Sequence, residues 1–323
     1  MNDLPSRIHI KEEGPREGFQ FEKAPIPTAR KIELIDALSR VGIRQMQIVS
    51  FVNPKAVPGM ADAEAVVAGI TPVPGVSYKA LWFNEAGLER AIAAGRIDVK
   101  GSISLSASDR FLQKNLNRTP SQQLATLHGM LHGYRERGIG LDRVTIMAAF
   151  GCNYEGDVRP DKVVGLVGQA IDVAAEHGLS IGSLSLADTM GWATPLAIKR
   201  TVGAIRARYP EVTLELHLHD TRGMGIANAY AGLEMGIDRF DASVAGLGGC
   251  PFAANAGAAG NVCTEDLVFM CEEMGIETGI DLEALIECAR LAQDVVGHPL
   301  PGAVMVGGSL RRVRERIAQA AAA

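Results

Sequence analysis

Residues 214–220 read Leu-Glu-Leu-His-Leu-His-Asp, and their alternation of apolar and polar residues predicts a β-strand. An amphipathic segment at 223–235 follows this strand and predicts a helix. The same order of strand and then helix recurs about every 30 to 40 residues along the chain. The candidate strands are residues 7–13, 45–51, 77–83, 98–106, 143–150, 180–187, 214–219 and 239–245.

Helical patterns lie between these strands, near residues 28–42, 84–94, 119–138, 159–177, 194–209, 223–235 and 264–274. Thr119 begins one of these segments and Gly138 ends it, which is the usual order of helix-capping residues. Eight strands that alternate with helices predict an α/β protein, a closed (β/α)8 TIM barrel with additional C-terminal helices. A doubly wound open sheet is the alternative, but it usually has about six strands. No linker divides the chain, so we expect one barrel domain over residues 1–323, with a helical tail at 298–323.

Composition narrows the class of protein. The chain has 323 residues, 47% of them hydrophobic, and a net charge of −5, which argues against nucleic acid as a partner. It has neither a run of about 20 apolar residues nor a secretory signal, so we expect no membrane association. Its five cysteines lack C-x-x-C spacing and indicate reduced thiols in a cytoplasmic protein.

A barrel places its chemistry at the carboxyl ends of the strands, where the most informative pair of residues lies. His217 and His219 are two residues apart on a strand, so both imidazoles point to one side, ~6.5–7 Å apart at Cα. This spacing suits two ligands of one metal ion. Two hydrogen-bonded histidines at the rim are the alternative.

Three further groups follow other strands. Glu17, in the turn at 12–18, is a candidate for completing a metal site, and Arg16 for polarising a carbonyl oxygen; a solvated surface turn is the alternative. Cys250, in the glycine-rich loop at 245–252, is a candidate nucleophile or proton donor, or else a small buried residue. Asn261 offers an amide oxygen as a further ligand.

Taken in order, these motifs resemble the 3-hydroxy-3-methylglutaryl-CoA lyase family over roughly residues 7–297. The matching segments are 10–23 with its Gly-Pro-Arg, Ser50–Lys55, Phe150–Cys152, Tyr154–Gly156, Asp188–Gly191, His217–Thr221, Val244–Pro251, Gly260-Asn261 and Thr264–Leu267. The resemblance implies a metal-dependent barrel enzyme that cleaves a 3-hydroxyacyl-CoA into acetyl-CoA and a keto acid such as acetoacetate. It also implies an acyl-CoA as the partner and, because relatives are commonly dimers, a homodimer.

The resemblance also assigns roles by position. It implies that Mg²⁺ or Mn²⁺ is bound by Glu17, His217, His219 and Asn261. Arg16 would contact the thioester oxygen, Cys250 would protonate the departing acetyl-CoA carbanion, and Glu17, His217 or Asp188 would take the hydroxyl proton. Supporting positions behind the ligands fall on Glu12, Gln47 and Glu265. Contacts to the substrate and its CoA arm fall on Gln20, Ser50, Ser104, Lys114, Asn115, Tyr154 and Thr189.

The chain departs from the family pattern at three places. Glu17 replaces the usual aspartate, which moves the carboxylate by ~1.5 Å. Gln47 replaces the usual glutamate, so we expect a more cationic site near Arg16. The segment from Cys250 to Asn261 is a residue or two longer than usual, which changes the predicted lid.

These departures keep other functions open. One alternative is a lyase for a related ester, such as citramalyl- or methylmalyl-CoA. Another is a Claisen-type synthase or aldolase of the same superfamily. A barrel that binds an acyl-CoA without catalysis is a third, but a binding module needs no proton donor.

Overall fold

Eight parallel strands form the wall of a barrel in the computed structural model, which describes residues 4–22, 24–249 and 259–322. Neighbouring strands follow the order β3-β2-β1-β8-β7-β6-β5-β4, and every pair is parallel. This order confirms the TIM barrel and excludes the doubly wound sheet. The strands are β1 His9–Glu12, β2 Gln45–Ser50, β3 Ser77–Leu81, β4 Gly101–Ser106, β5 Leu141–Met147, β6 Ser183–Ala187, β7 Leu214–His217 and β8 Arg239–Ala242.

A helix follows each strand, and three more helices end the chain. Thr119 caps α4 as its residue type predicts: its hydroxyl accepts from the Gln122 amide at 3.3 Å, and Gln122 Oε1 accepts from the Thr119 amide at 2.9 Å. The helices are α1 Thr28–Leu38, α2 Ala63–Gly69, α3 Glu85–Ala94, α4 Pro120–Glu136, α5 Pro160–Glu176, α6 Pro195–Arg208, α7 Gly225–Glu234, α8 Thr264–Glu273, α9 Leu282–Val296, α10 Ala303–Gly307 and α11 Leu310–Ala322.

Shorter elements lie in the loops above the strands. They are a π-helix at Gly14–Gly18, helical turns at Phe19–Phe21, Pro58–Met60 and Val244–Gly246, a helix at Asp109–Leu116, and an antiparallel ribbon of Gly151–Cys152 with Gly156–Asp157. Within the described ranges, no helix is both long and apolar enough to span a bilayer.

The apolar core lies between the strands and the helices, where side chains such as Leu34, Ile48 and Leu216 are fully buried. The centre of the barrel is charged instead. Lys11 Nζ lies 3.2 Å from Asp241 Oδ1, and Arg143 contacts the same carboxylate. These three buried groups therefore lie beside opposite charges, which buried ions require.

The seam between β3 and β4 is closed mainly by side chains. A single backbone hydrogen bond, from Asp98 N to Tyr78 O at 2.7 Å, joins the two strand regions in the described chain. Farther along β4, Tyr134 Oη donates to the Ser102 carbonyl at 2.9 Å, and Gln123 Nε2 donates to the Ser104 carbonyl at 2.9 Å. Two side chains of α4 therefore satisfy carbonyl groups that a paired strand would otherwise bond.

Candidate active site

His217 and His219 converge at the carboxyl end of β7, as their spacing predicts. Their Nε2 atoms are 3.2 Å apart. His217 Nδ1 lies 2.9 Å from Asp241 Oδ2, and His219 Nδ1 lies 2.8 Å from the Thr189 carbonyl oxygen. Because both of these oxygens accept hydrogen bonds, each Nδ1 carries the proton and donates it.

This tautomer leaves both Nε2 lone pairs available to a cation, as in metal-binding histidines. Glu17 adds a carboxylate: Oε1 is 3.3 Å from His219 Nε2, and Oε2 is 3.8 Å from His217 Nε2. One donor atom from each of these three residues lies within 4.8 Å of the others. Lone pairs and a carboxylate that converge in this way require a positive charge between them, so these donors fit a divalent cation.

The electrostatics agree with this interpretation. Burial raises the pKa of Glu17, but Arg16 and the two histidines outweigh it and hold that pKa below its ordinary value. Burial lowers the pKa of His217, whereas the charges of Glu17 and Asp241 raise it above the ordinary value. The carboxylates that favour a proton on this imidazole would equally favour a metal ion beside it.

Glu17 reaches the histidines from the π-helical turn at Gly14–Gly18. Asn261 approaches from the other side: its Nδ2 donates to Glu17 Oε1 at 2.9 Å and to the Leu247 carbonyl at 3.1 Å. A 180° rotation of this amide exchanges its nitrogen with its oxygen and would present a ligand atom at the same place.

The glycine-rich loop packs directly over these residues. Gly248 has φ +88°, and a Cβ there would lie 2.8 Å from Asn261 Nδ2 and 3.0 Å from Glu17 Cγ. Glycine is therefore required by both conformation and space at this position. Cys250 and most of the predicted lid, residues 250–258, lie outside the described residues, so the role of Cys250 stays a prediction.

Arg16 lies beside the ligands, between two carboxylates. Its Nη1 is 3.0 Å from Glu17 Oε2, and its Nη2 pairs with Glu13 Oε2. Buried Glu13 is the acidic partner of this guanidinium, and the expectation that Gln47 makes the site more cationic stays a prediction. Gln47 lines a cavity beside Arg16, and its buried Oε1 has no hydrogen-bond partner among the described residues.

A cavity of about 260 Å³ opens beside this cluster and includes some of the predicted contact residues. Gln20, Ser104, Asn115 and Thr189 line it. Lys114 and Tyr154 do not, but they lie together nearby, with Lys114 Nζ 5.2 Å from the centre of the tyrosine ring.

Two predicted residues are buried away from the cavity wall. Ser50 is fully buried and does not line the cavity. Asp188 Oδ1 accepts from the backbone amides of Trp192 and Ala193 at 2.7 and 3.0 Å, and burial raises the pKa of this carboxyl. Asp188 therefore holds the loop after β6, whereas Glu17 and His217 face the cavity.

Glu12 and Glu265 support the loop after β8. Glu12 accepts from the amides of Gly14 and Val244, and Glu265 accepts from the amide of Ala245 at 3.0 Å. Neither of them contacts a candidate ligand directly in the described structure.

The sequence alone did not single out Asp241 or Glu13, which contact His217 and Arg16. Both are buried acids at or beside strands, and an unpaired buried acid is rare. The rarity of unpaired buried acids could have marked Asp241 and Glu13 as paired residues, but it does not identify His217 or Arg16 as their partners.

The HMGL-like family model matches residues 7–292 of this chain. The mitochondrial hydroxymethylglutaryl-CoA lyase of Rattus norvegicus is 42% identical over 89% of this chain and 85% of its own length. The hydroxymethylglutaryl-CoA lyase of Bacillus subtilis is 40% identical over 92% of this chain and 96% of its own length.

Solved structures of hydroxymethylglutaryl-CoA lyases are also similar to this chain. The Bacillus subtilis HMG-CoA lyase superposes with a TM-score of 0.86 at 39% identity, covering 95% of this chain and 99% of that one. An HMG-CoA lyase from Acinetobacter baumannii, solved with coenzyme A and 3-methylmalate, gives 0.84 at 38% identity, covering 96% and 97%.

Proposed function

This chain belongs to the HMGL-like family, and from that premise we propose that it is a divalent-metal-dependent carbon–carbon lyase. Its substrate is a 3-hydroxyacyl-CoA of the 3-hydroxy-3-methylglutaryl type, and its products are acetyl-CoA and a keto acid such as acetoacetate. The observation that carries the proposal is the convergence of Glu17, His217 and His219 beside Arg16.

Glu17, His217, His219 and Asn261 would hold the cation, which is Mg²⁺ or Mn²⁺ on the chemistry of this nitrogen and oxygen donor set. A bound cation of this kind lowers the pKa of a hydroxyl group that it contacts. Asp241 and the Thr189 carbonyl keep both imidazoles in the tautomer that can bind it.

Arg16 stabilises the charge that develops during cleavage. When the bond between C2 and C3 breaks, its electron pair moves onto the acetyl-CoA fragment, and the thioester oxygen becomes negative. A guanidinium held in place before the reaction stabilises that oxygen without reorganising. Glu13 and Glu17 hold the guanidinium from two sides.

Two protons balance the reaction. The tertiary hydroxyl loses one as it becomes the ketone, and Glu17 and His217 are the candidate acceptors that face the cavity. The acetyl-CoA carbanion gains one, and the family resemblance assigns this donation to Cys250.

The cavity wall also suggests where the substrate lies. Gln20, Ser104, Asn115 and Thr189 would contact the acyl group or the CoA arm, with Lys114 and Tyr154 at the exposed end. We also propose a homodimer and a cytoplasmic location, which sedimentation and cell fractionation would test.

Product identification tests the proposed function. Purified protein with Mg²⁺ or Mn²⁺ should release acetyl-CoA and acetoacetate from hydroxymethylglutaryl-CoA, and EDTA should stop the release. A preference for citramalyl- or methylmalyl-CoA would replace hydroxymethylglutaryl-CoA as the proposed substrate. Net condensation of acetyl-CoA with a keto acid would indicate a synthase, and tight ester binding without turnover would indicate a binding protein.

A further inference from the structure

The cavity beside the candidate ligands extends to side chains at the seam between β3 and β4. Its wall includes Ser102 and Ser104 of β4 and reaches Leu127 and Met130 of α4. We call this part of the cavity the seam pocket. It is lined by Trp82, Ser102, Ser104, Leu127 and Met130.

The seam pocket exists because β3 and β4 are held together by side chains. Tyr134 Oη accepts from Trp82 Nε1 at 2.8 Å and donates to the Ser102 carbonyl, so the two strand regions are linked through α4. Gln123 satisfies the Ser104 carbonyl in the same way. The carbonyl groups of Ser102 and Ser104 are therefore hydrogen-bonded even though the seam pocket lies beside them.

Two of the three β4 residues in this wall, Ser102 and Ser104, have small side chains; the third is Ile103. TIM barrels usually fill their centre with bulky branched side chains, whereas β4 contributes Ser102 and Ser104 to this wall. These two serines occupy less of the cavity than branched side chains would at the same positions.

The α4 side of the cavity wall has an apolar part, Leu127 and Met130, next to the polar side chains Gln123 and Thr126. Leu127 and Met130 are buried, lie one helical turn apart on α4 and face the cavity together. A thioether side chain adapts its shape easily to an apolar guest. Neither Leu127 nor Met130 can pair with a carboxylate, so their part of the wall suits a hydrocarbon chain.

We propose that the seam pocket is the subsite for the substituent at C3 of the substrate, and that it accepts an unbranched alkyl chain longer than methyl. This inference rests on the proposed lyase function and names the substrate class of the same site. The reaction is unchanged: acetyl-CoA is released, and the longer chain leaves on the keto acid.

The test compares hydroxymethylglutaryl-CoA with the ester in which n-butyl replaces the C3 methyl. Each added methylene that is buried should raise kcat/KM by about fourfold, so the wild type should prefer the butyl ester by tenfold or more. Leu127→Trp, which fills the pocket, should lower the ratio of butyl to methyl kcat/KM by at least tenfold.

Ala125→Leu, on the exposed side of the same helix, is the matched control and should not change the ratio. Met130→Phe is a second filling variant in case Leu127→Trp does not fold, as judged by circular dichroism. Cleavage of the methyl ester with no cleavage of the butyl ester overturns this inference alone. Failure to cleave either ester overturns the lyase proposal and this inference with it. If neither filling variant changes the ratio, the alkyl chain binds elsewhere, and the inference is again overturned.

Discussion

His217 and His219 face each other through Nε2 atoms 3.2 Å apart, and the opposite nitrogen of each ring donates to a fixed oxygen. Two imidazoles with their lone pairs opposed in this way repel each other unless a cation lies between them. The acceptors behind the rings, Asp241 and the Thr189 carbonyl, therefore determine whether the pair can bind a metal ion.

The first prediction concerns Asp241. Asp241→Asn keeps the shape of the side chain, but it removes the carboxylate that holds the His217 ring in its metal-binding tautomer. We expect the affinity for Mn²⁺ to fall about 10- to 100-fold, measured by calorimetric titration.

Glu215→Gln is the matched control, since Glu215 lies 3.4 Å from Arg143 and is not a hydrogen-bond partner of His217. If both variants lose Mn²⁺ affinity equally, the barrel charges as a whole set the affinity and the His217 tautomer does not.

The second prediction concerns the length of the Glu17 side chain. Glu17→Asp withdraws the carboxylate by ~1.5 Å from His219 and Asn261, which it now meets at 3.3 and 2.9 Å. We expect about tenfold weaker Mn²⁺ binding, with a matching fall in kcat. Glu17→Gln keeps the length of the side chain and removes its charge, so it separates the effect of side-chain length from the effect of charge. Wild-type affinity in Glu17→Asp would mean that the π-helical turn moves to compensate.

The strands were predictable because alternating and β-branched patterns are local in the sequence. The predicted segments omitted Ala63–Gly69 and Asp109–Leu116, and Leu282–Val296 was covered only by the general expectation of additional C-terminal helices. The first is only seven residues long. The second has few apolar residues, although its cap was readable: the Ser108 hydroxyl accepts from the Phe111 amide at 3.0 Å.

The candidate ligands were predictable because they follow strands, where a barrel gathers polar groups. The groups that hold them were not. Lys11 and Asp241 are register partners on β1 and β8, separated by most of the chain, and Glu13 continues from the same strand end. No spacing within the sequence indicates such a pairing, which depends on closure of the barrel between its first and last strands.

The third prediction concerns Glu13 and its neighbour Gln47. The register of β1 with β2 pairs Glu12 with Met46, and continuing it by one residue places Glu13 opposite Gln47 within β2. Glu13→Gln removes a carboxylate from Arg16, so the guanidinium is less firmly placed. We expect kcat to fall about 10- to 100-fold with a smaller change in KM.

The double variant Glu13→Gln/Gln47→Glu places a carboxylate on the adjacent strand, in the wall of the cavity that Arg16 also lines. It should recover much of the lost kcat, whereas Gln47→Glu alone adds a like charge beside Glu13 and should not raise it. An absence of recovery, in a double variant that melts at the wild-type temperature, would show that Glu13 acts through something other than its charge on Arg16.

Glu12 gives a prediction about stability that is independent of the metal site. Its Oε1 accepts from the amides of Gly14 and Val244, and its Oε2 accepts from the Thr264 hydroxyl at 2.7 Å. Burial nevertheless dominates and raises the pKa of this carboxyl from 4.5 to about 7. Folding therefore favours the protonated form of Glu12.

The contribution of Glu12 to stability is full below about pH 4.5 and is lost as the pH rises through about 7, by about 3 kcal/mol in total. Gln does not titrate, so Glu12→Gln should gain about that much unfolding free energy relative to wild type between pH 4.5 and pH 8. Urea denaturation at both pH values measures this difference. Glu265, whose pKa is also raised to about 7, titrates in both proteins, and its charge contributes to the raised pKa of Glu12. A difference that stays constant with pH would mean that Glu12 is ionised in the folded protein throughout, with its three hydrogen bonds outweighing its burial.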